Sequence, residues 1–424
     1  MAPFDIKPLE RFVAPGKNAT IKKPHEIAHF SFDAEHQLLP FSTDSLRYYY
    51  PPFFPAANGE VTKDSINLSH GFDSFQQLDD GPDEHLDALL DTIMEMEKRD
   101  GKRCHSDVVT WRGMMTKVRF PQPDRGKRPR SQTDLILPKI VTAPFDTLDG
   151  FEMNATLFQH AQLFTRYIEE NHDYKLEDKQ RQFAQKTKPG MPSQQLMSYW
   201  GYKFESLSLL PVPWAEASRD LVENREADIV NNHAQYCSVV RTRIGSTSVV
   251  LGGEVDAVLG AKPDDSETPP RWVELKTTLQ PIDNKPRANY ERKLLKFWAQ
   301  SFLLGVPKIV VGFRTPNGLL VNLTELETKN IPMKVRQGLQ TWDGNTCINF
   351  SAAFLDFLKQ HIVGEGVWRI QRSAKSDVIE VFKIRERGTG EILKAEFKKW
   401  KEELLVKEEL LAKEVAEMLG RPKT

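Results

Sequence analysis

Cysteine is the residue type that this 424-residue sequence has least of, with three in all. Cys104, Cys237 and Cys347 lie far apart, and no C-x-x-C spacing occurs. Structural zinc sites and disulfide scaffolds both draw on closely spaced cysteines. We therefore expect no zinc site and no disulfide framework, and the scarcity of thiols fits a protein of a reducing compartment.

Long apolar runs are missing as well. No stretch approaches the roughly 18 consecutive apolar residues that a membrane span needs, so we expect no membrane association. The first thirty residues are interrupted by proline, lysine and glutamate and contain no apolar core of a signal peptide. The sequence therefore favours the nucleus or the cytoplasm.

Neither sign of charge is in excess. The chain has 58 lysine and arginine residues against 59 aspartate and glutamate residues, which gives a formal net charge of −1. A strongly basic field over the whole molecule, which is one mark of nucleic-acid binding, is thereby excluded. Any contact with nucleic acid has to rest on a local patch.

The stretch from Leu251 to Lys276 carries the clearest chemical signal. Two short runs of alternating apolar and charged residues flank a loop rich in proline and aspartate, which is typical of a strand, a loop and a second strand. Residues two apart share a face of a strand. Glu254 and Asp256 are therefore predicted on one face of the first strand, and Glu274 and Lys276 on one face of the second. If the strands are neighbours, three carboxylates and one lysine converge.

Such a cluster favours a bound cation. Two unit charges about 4 Å apart at an effective dielectric constant near 20 repel each other by roughly 4 kcal/mol. One lysine cannot neutralise three carboxylates, whereas a hard cation such as Mg²⁺ can resolve the repulsion. The alternative for this stretch alone is a pair of amphipathic strands whose charged faces lie in water.

Two predicted helices add polar side chains. Ser193 is a suitable N-cap, and Gly201, Glu205 and Ser208 share one face of the helix that follows it. A glycine one turn before a glutamate leaves room for a ligand or a second chain to approach, although Glu205 taken alone is an ordinary surface residue. A second helix over residues 291–305 is apolar on one side, and its other side carries Lys293, Lys296 and Gln300.

The N-terminal third gives weaker signals. Residues 1–60 are rich in proline and phenylalanine with little periodicity, and we predict an irregular segment that wraps a core. The run from Tyr48 to Phe54 could stack on bases, although packing of this segment on the domain is favoured. The basic segment 121–133 is either a solvated loop, a nuclear address or a phosphate contact, of which the solvated loop is favoured.

The chain shows no internal repeat and no clear linker. We predict a single catalytic domain over residues 1–390, with its motifs within 110–314, followed by a charged C-terminal helix or tail over 391–424. The apolar stripe of that helix could bind a partner, but packing on its own domain is favoured.

An acidic residue on one strand followed by E-x-K on the next is the pattern of the PD-(D/E)xK nucleases. Five blocks of the sequence together resemble the DXO family, eukaryotic nucleases and pyrophosphohydrolases that act on RNA 5′ ends. The blocks are TWRG at 110–113, WGYKFES at 200–206, GGEVD at 252–256, VELKTT at 273–278, and KLLKFWAQSFLLG with VVGFR within 293–314. The resemblance implies an α+β fold with a mixed, twisted β-sheet core of PD-(D/E)xK-like character, flanked by helices.

The resemblance also implies roles for single residues. Lys276 and Gln300 would contact the scissile phosphate and the attacking water, with Glu205 counted among the catalytic residues. Arg112 would hold a phosphate of the RNA 5′ end, because a guanidinium suits a multidentate oxyanion. One or two Mg²⁺ or Mn²⁺ ions, with two expected, would be ligated by Glu205, Glu254, Asp256, Glu274 and the carbonyl of Leu275.

The function implied is hydrolysis of RNA 5′ ends. Members of the family remove pyrophosphate from 5′-triphosphate RNA and release incomplete or noncanonical caps, such as unmethylated or NAD caps. Some also continue as 5′→3′ exoribonucleases, and the common product is 5′-monophosphate RNA. The elements FSFD at 30–33 and LRYYYPP at 46–52 resemble the fungal nuclear members, which are partners of an Xrn-class 5′→3′ exoribonuclease. A nuclear location and such a partner are therefore expected.

Two other functions stay open at this point. The chain could serve mainly as a non-catalytic partner that stabilises the exoribonuclease, although its intact acidic set argues against lost catalysis. It could also be a PD-(D/E)xK DNA nuclease, although no DNA-binding motif supports this.

Overall fold

The computed structural model describes residues 1–13, 18–52, 65–79, 81–116, 140–145, 150–160, 163–184, 192–265, 267–281 and 284–418. Within these ranges the chain forms seventeen β-strands and nine α-helices. The strands are β1 (Ala2–Asp5), β2 (Ile21–Phe32), β3 (Leu38–Pro40), β4 (Tyr48–Tyr49), β5 (Ile66–Asn67), β6 (Val108–Trp111), β7 (Phe151–His160), β8 (Leu163–Glu170), β9 (Leu209–Leu210), β10 (Gln235–Ile244), β11 (Thr247–Glu254), β12 (Ala257–Val258), β13 (Trp272–Leu279), β14 (Lys308–Arg314), β15 (Leu319–Glu327), β16 (Val367–Arg372) and β17 (Val378–Arg385). The helices are α1 (Asp87–Asp100), α2 (Arg112–Thr116), α3 (His172–Ala184), α4 (Gln194–Leu207), α5 (Arg219–Glu223), α6 (Asn284–Leu304), α7 (Ile331–Gln337), α8 (Gly344–His361) and α9 (Ala395–Met418).

The strands form two mixed sheets. The first has ten strands in the order β1-β17-β16-β7-β8-β6-β11-β10-β2-β3, and the second has seven in the order β5-β15-β14-β13-β12-β4-β9. Most neighbours are antiparallel, but β8 and β11 both lie parallel to β6, β13 lies parallel to β14, and β12 lies parallel to β4. The predicted α+β class, with a mixed sheet core and helices around it, is confirmed.

Each sheet has helices against it. Along β11, Val249 and Leu251 join a core that draws on both sheets and on α6 and α8, whereas Val250 points into a second core with α1 and α9. This alternation is what the two-residue period of a strand produces. On the seven-stranded sheet, α4 packs a third core through Trp200 and Phe204.

The predicted helix starts agree with the structure in one case and differ in the other. Ser193 caps α4, because its hydroxyl accepts a hydrogen bond from the Leu196 N–H at 3.1 Å. The helix predicted from residue 291 begins at Asn284 and ends at Leu304. Its first turns carry few apolar residues, so the apolar period that marks the rest of the helix does not reveal them.

The prediction of an irregular N-terminal segment is wrong. Residues Ile21–Phe32 form a twelve-residue strand that pairs with β10 inside the ten-stranded sheet. Its pairing contains two register shifts and its first half is charged, which hides the alternation that Phe30 and Phe32 show at its end. Tyr50 stacks on Trp214 with ring centroids 4.6 Å apart, so this tyrosine packs on its own domain.

The C-terminal helix α9 packs against α1. Phe397 and Leu404 are buried, and the Trp400 indole N–H donates to Glu97 Oε2 at 3.0 Å. The Lys401 ammonium group also contacts this glutamate, whose side chain is fully buried. The division of the chain at residue 390 stays a prediction.

Two further sequence observations concern targeting. The basic segment 121–133 lies outside the residues that the structure describes. Among the described helices, none combines the length and the apolar character that crossing a membrane requires.

Candidate active site

A short antiparallel pairing brings the two acidic motifs together. β12 pairs with β13, and Ala257 lies opposite Val273. Asp256, which directly precedes β12, accepts a hydrogen bond from the Leu275 N–H, with its Oδ2 2.6 Å from the nitrogen. This bond holds the Asp256 carboxylate beside Glu274, the residue before Leu275. The predicted convergence of the two motifs is found in the structure.

Lys276 lies between these two carboxylates. Its Nζ is 2.6 Å from Oε1 of Glu274 and 3.7 Å from Oδ2 of Asp256. The Glu274 side chain is 1% exposed and that of Lys276 is 22% exposed. Because successive residues of β13 point to opposite sides, Val273 and Leu275 fill the core under α4 while Glu274 and Lys276 face away from it.

Glu254 and Asp256 do not share one strand, so this part of the prediction is wrong. β11 ends at Glu254 in the ten-stranded sheet, and β12 begins at Ala257 in the seven-stranded sheet. The Val255 N–H still bonds to the Tyr236 carbonyl at 3.1 Å, after which the chain leaves β10. The alternation of acidic residues with the buried Val255 and Ala257 continues through the change of sheet, which is why the sequence pattern does not show it. The two carboxylates therefore reach the site at the junction of the sheets.

Arg112 approaches the cluster from the other side. β6 runs parallel to β11 with Trp111 opposite Gly252, and the chain then enters α2 at Arg112. The guanidinium Nη1 of Arg112 lies 3.4 Å from Oε2 of Glu274. A Cβ atom on Gly253 would lie 3.1 Å from the Arg112 Cβ and 2.9 Å from a Leu304 methyl carbon. Glycine at 253 therefore permits this close approach.

Glu205 faces the same cluster from α4. Its pKa is raised well above the usual value, first by desolvation and then by the charge of Asp256, with Glu254 and Glu274 contributing and Lys276 opposing. One helical turn earlier, a Cβ atom on Gly201 would meet nothing within 4 Å. The space beside Glu205 that the sequence predicts is present.

The other three carboxylates respond differently to their surroundings. Desolvation first, and then Glu274 and Glu254, raise the pKa of Asp256 to about 7 against the opposing charge of Lys276. Desolvation also raises the pKa of Glu254, although solvent reaches this side chain. A side chain that is both accessible and surrounded by protein lies in a cleft. Desolvation would raise the pKa of Glu274 too, but Lys276 and Arg112 together lower it.

The donor set fits a hard divalent cation. Carboxylate oxygens are the ligands that Mg²⁺ and Mn²⁺ prefer, and the raised pKa values record a mutual repulsion that such a cation relieves. Within the part of the chain that the structure describes, no three acidic, histidine or cysteine side chains already stand in an arrangement that could hold a metal ion. Lys276 and Arg112 contact the Glu274 oxygens instead, so metal binding requires these side chains to shift. The assignment of single ligands, including the Leu275 carbonyl, stays a prediction.

Gln300 lies on the polar stripe of α6, which is the side of the helix that carries Lys293, Lys296 and Gln300. Its side chain is 7% exposed, and its Oε1 has no hydrogen-bond partner among the described residues. A buried acceptor left unpaired costs about 1–3 kcal/mol, which marks the position for a functional contact. Leu304, one turn further along α6, is the residue that approaches Gly253.

Sequence reasoning missed one contact of this stripe. The Lys293 Nζ donates to Oγ1 of Thr278 at 3.1 Å, and Thr278 shares the face of β13 that carries Glu274 and Lys276. The spacing of Thr278 two residues after Lys276 was the available signal.

Two cavities of about 300 and 630 Å³ lie away from this site, and none of the predicted site residues lines them.

Comparison with known proteins assigns the family. A family model described as RAI1 like PD-(D/E)XK nuclease matches residues 22–121 and 135–398. A protein of Aspergillus fumigatus named Decapping nuclease RAI1 is 53% identical over 399 residues, which cover 94% of this chain and 98% of that protein. The chain belongs to the RAI1-like PD-(D/E)XK nuclease family. The resemblance inferred from the five sequence blocks is thereby confirmed.

Solved RAI1-like structures share the fold. Candida albicans Rai1 in complex with pU5-Mn²⁺ has a TM-score of 0.78 at 25% identity, and the match covers 95% of this chain and all of that one. Scheffersomyces stipitis Rai1 in complex with (3′-NADP)⁺ and calcium ion has a TM-score of 0.79 at 25% identity with the same coverage. Each of these two relatives was thus solved with a divalent metal and a nucleotide ligand together.

Proposed function

We propose that this protein is a metal-dependent hydrolase of RNA 5′ ends that leaves 5′-monophosphate RNA. The observation that carries the proposal is the convergence of Asp256, Glu274 and Lys276 at the junction of the two sheets. Membership of a family whose relatives are named decapping nucleases supports the RNA substrate. A purely structural ion pair would not need Glu205 and Glu254 at the same place.

Each polar residue has a task in this reaction. The carboxylates of Glu205, Glu254, Asp256 and Glu274 would hold one or two Mg²⁺ or Mn²⁺ ions, with the Leu275 carbonyl as a further ligand. When bound, the metal supplies an activated water and stabilises the leaving oxygen.

Lys276 and Arg112 act on the phosphates. The Lys276 ammonium group stabilises the negative charge that grows on the attacked phosphate, since it already lies beside the carboxylates of Glu274 and Asp256. The Arg112 guanidinium lies 3.4 Å from Glu274, and once it leaves this carboxylate to the metal it holds a phosphate of the RNA 5′ end. Gln300, with its unpaired buried acceptor, positions the attacking water.

The proposed substrates are 5′-triphosphate RNA and RNA with incomplete or noncanonical caps, including NAD caps. Complexes of relatives with (3′-NADP)⁺ and with pU5-Mn²⁺ support a pocket that takes both dinucleotides and RNA. Hydrolysis at the first RNA phosphate gives the same 5′-monophosphate product from each. Further 5′→3′ degradation needs only that the new end enters the same pocket.

The experiment that tests this is a substrate panel under single-turnover conditions. Matched RNAs would carry a 5′-triphosphate, an unmethylated cap, a fully methylated cap, an NAD cap or a 5′-monophosphate, with single-stranded DNA of the same sequence as control. We expect faster turnover of triphosphate and unmethylated caps than of the methylated cap. Equal rates on both cap forms contradict a role in quality control, and preference for the DNA favours a DNA nuclease.

We further propose that the protein acts in the nucleus and stabilises an Xrn-class 5′→3′ exoribonuclease through a surface separate from the site. Two exposed apolar surfaces support a docking role. One is Trp214, which is 59% exposed on its stack with Tyr50, and the other is the outer side of α9 at Val406 and Leu410.

The partner proposal is tested by pull-down and localisation. Asp256→Asn should still bind the exoribonuclease. Trp214→Ala should lose it if the Trp214 surface is the binding surface, and Leu410→Glu should lose it if the outer side of α9 is. Loss of the partner in Asp256→Asn contradicts separate surfaces, and retention in both surface variants contradicts these two locations. A fluorescent fusion confined to the cytoplasm contradicts the nuclear role.

A further inference from the structure

Trp111 lies between the two strands that bring Arg112 and Glu254 to the site. It is the last residue of β6, directly before Arg112, and its strand partner Gly252 lies two residues before Glu254. The indole covers Gly252 so closely that a Cβ atom there would be 2.8 Å from its Cζ3. The ring of Phe30 meets the indole in a T-shaped arrangement, with ring centroids 6.2 Å apart. An indole with such apolar neighbours needs a partner for its N–H.

The partner is the backbone carbonyl of His85, just before α1. The Trp111 indole N–H donates to this carbonyl at 2.9 Å. His85 has a φ of +47°, in the left-handed region that residues other than glycine seldom adopt. Because the direction of a carbonyl follows from the backbone dihedral angles, the groups that hold His85 in this conformation also set the direction of the indole.

Two carboxylates hold His85 in place. Its ring Nδ1 lies 3.2 Å from both oxygens of Glu169 and 3.6 Å from Oδ2 of Asp83, and its backbone N–H donates to Oδ1 of Asp83 at 3.0 Å. Burial would lower the pKa of His85, but the charges of Glu169 and Asp83 raise it, which favours the imidazolium form. Glu169 is 4% exposed and lies on β8, the strand that pairs with β6. The pair therefore fastens the start of α1 to the strand beside β6.

These side chains lie outside the site. Asp83, His85 and Glu169 line the cavity of about 630 Å³, which none of the predicted site residues lines. An effect of the three side chains on a phosphate held by Arg112 therefore has to pass through Trp111. A buried ion pair contributes little net stability, but it can hold a single arrangement of the groups around it.

We propose that His85, held by Glu169 and Asp83, is a positioning residue that acts through the Trp111 indole and fixes the direction in which Arg112 presents its guanidinium to the RNA 5′ phosphate. This proposal rests on the proposed function, in which Arg112 holds that phosphate. Arg112 follows Trp111 directly, so a change in the backbone at Trp111 turns the arginine side chain as well. A guanidinium binds phosphate best when its planar fork is aimed at the oxygens, so a small turn weakens the contact.

The RNA 5′ phosphate gives the first test. Trp111→Phe keeps an aromatic ring over Gly252 and removes the N–H donor. Its affinity for RNA with a 5′-monophosphate and for the same RNA with a 5′-hydroxyl would be measured in Ca²⁺ by fluorescence anisotropy. We expect the wild type to prefer the 5′-monophosphate RNA, and Trp111→Phe to lose about tenfold of this preference, the size of one charge-assisted hydrogen bond. Affinity for the 5′-hydroxyl RNA should stay unchanged.

Trp342→Phe is the matched control. The Trp342 indole N–H also donates to a backbone carbonyl, that of Glu291, at 2.8 Å. This variant loses the same kind of bond, but one that lies outside the contacts leading from His85 to Arg112. It should keep the wild-type preference for the 5′-monophosphate RNA, also where thermal unfolding shows that both tryptophan variants lose similar stability.

Variants of His85 test the first contact of the series. His85→Ala removes the group that Glu169 holds, so it should lose the phosphate preference as Trp111→Phe does. His85→Asn should restore most of it, because asparagine tolerates a positive φ and its amide N–H donates to a carboxylate. Equal loss in both His85 variants would overturn the proposal. Where His85→Ala does not fold, His85→Asn and Trp111→Phe still decide it.

A double-mutant cycle shows whether the effect passes through Arg112. Arg112→Ala alone should abolish the preference for the 5′-monophosphate RNA, and adding Trp111→Phe should change nothing more. In steady-state kinetics on 5′-triphosphate RNA, Trp111→Phe should raise KM about tenfold with kcat kept. Additive losses of preference, an equal loss of affinity on the 5′-hydroxyl RNA, or an equal loss in Trp342→Phe would each overturn the proposal.

Failure of the proposed function gives a different pattern. If the wild type prefers the 5′-monophosphate RNA but hydrolyses no RNA 5′ end, the proposed function fails, and the binding measurements still decide the role of His85. If the wild type binds both RNAs equally, Arg112 does not hold the 5′ phosphate, and the inference is overturned.

Discussion

At the scale of single residues, Glu274 contacts both cations of the site, Lys276 and Arg112. It accepts from Lys276 on one oxygen and from Arg112 on the other, and these two cations lower its pKa although burial alone would raise it. Glu274 therefore stays ionised while its neighbour Asp256 has a raised pKa. An ionised carboxylate between two cations suits the metal-assisted phosphoryl site that we propose, in which Lys276 and Arg112 would bind phosphate.

Replacing Lys276 tests its role in the reaction. Lys276→Met keeps much of the side-chain length and removes the charge that should stabilise the attacked phosphate. We expect kcat on 5′-triphosphate RNA to fall by about 10² to 10³, with a much smaller change in KM. Mn²⁺ affinity, measured by calorimetry, should survive or increase slightly, because a positive charge near the metal is lost. A near-normal kcat would reduce Lys276 to a charge on an amphipathic strand.

Gln300 should matter less than Lys276. It carries no charge, so Gln300→Ala removes only the positioning of water or phosphate, and its buried acceptor has no other partner among the described residues to lose. We expect kcat to fall by about tenfold while the free energy of unfolding stays within about 1 kcal/mol of wild type. A loss larger than that of Lys276→Met, in the same assay, would reverse the two assignments.

At the scale of elements, two glycines shape the cleft in opposite ways. Gly201→Ala adds a methyl group into open space on α4, so we expect the free energy of unfolding to rise by about 0.5–1 kcal/mol and the KM for RNA to increase. Gly253→Ala pushes a Cβ against Arg112 and Leu304, so we expect it to cost about 1–3 kcal/mol and to lower kcat. Urea denaturation and steady-state kinetics measure both variants. Equal stability and activity of the two would contradict the packing described here.

The attachment of α9 to α1 depends on Glu97. Its buried carboxylate accepts from the Cys104 N–H at 2.6 Å and from Trp400 and Lys401 of α9. Lys401→Met leaves this charge without its cation, so we expect the free energy of unfolding to fall by about 3–5 kcal/mol. Lys399→Met, on the same helix, breaks an exposed pair with Glu403 and should change stability by less than about 1 kcal/mol. Equal effects of the two variants in chemical denaturation would show that Glu97 does not anchor the helix.

The sequence predicts those features of the fold and of the site whose pattern lies within a few neighbouring residues. Alternation along β13 predicts that Glu274 and Lys276 share a face, because the two-residue period is local. It cannot predict that the chain changes sheets between Glu254 and Ala257, because acidic residues alternate with the buried Val255 and Ala257 on both sides of the change. The long strand β2 was missed for a related reason, since register shifts interrupt its period.

At the scale of the whole molecule, the site lies where the two sheets meet. Glu254 ends β11 in one sheet, while Asp256 directly precedes β12 and Glu274 lies on β13 in the other. Glu205 comes from α4, which packs on that second sheet. Four carboxylates from three separate parts of the chain converge only in the folded protein. Their mutual repulsion is costly unless a cation or a proton compensates it.

The measurement that tests this most directly is product analysis with end-labelled 5′-triphosphate RNA in Mg²⁺ and in EDTA. We expect wild type in Mg²⁺ to release pyrophosphate and 5′-monophosphate RNA, EDTA to abolish the reaction, and added Mn²⁺ to restore it. Asp256→Ala, checked for folding by circular dichroism, should lose several orders of magnitude in rate. Undiminished hydrolysis in EDTA, or a folded Asp256→Ala protein with wild-type rates, would contradict a metal-dependent site at the junction of the sheets.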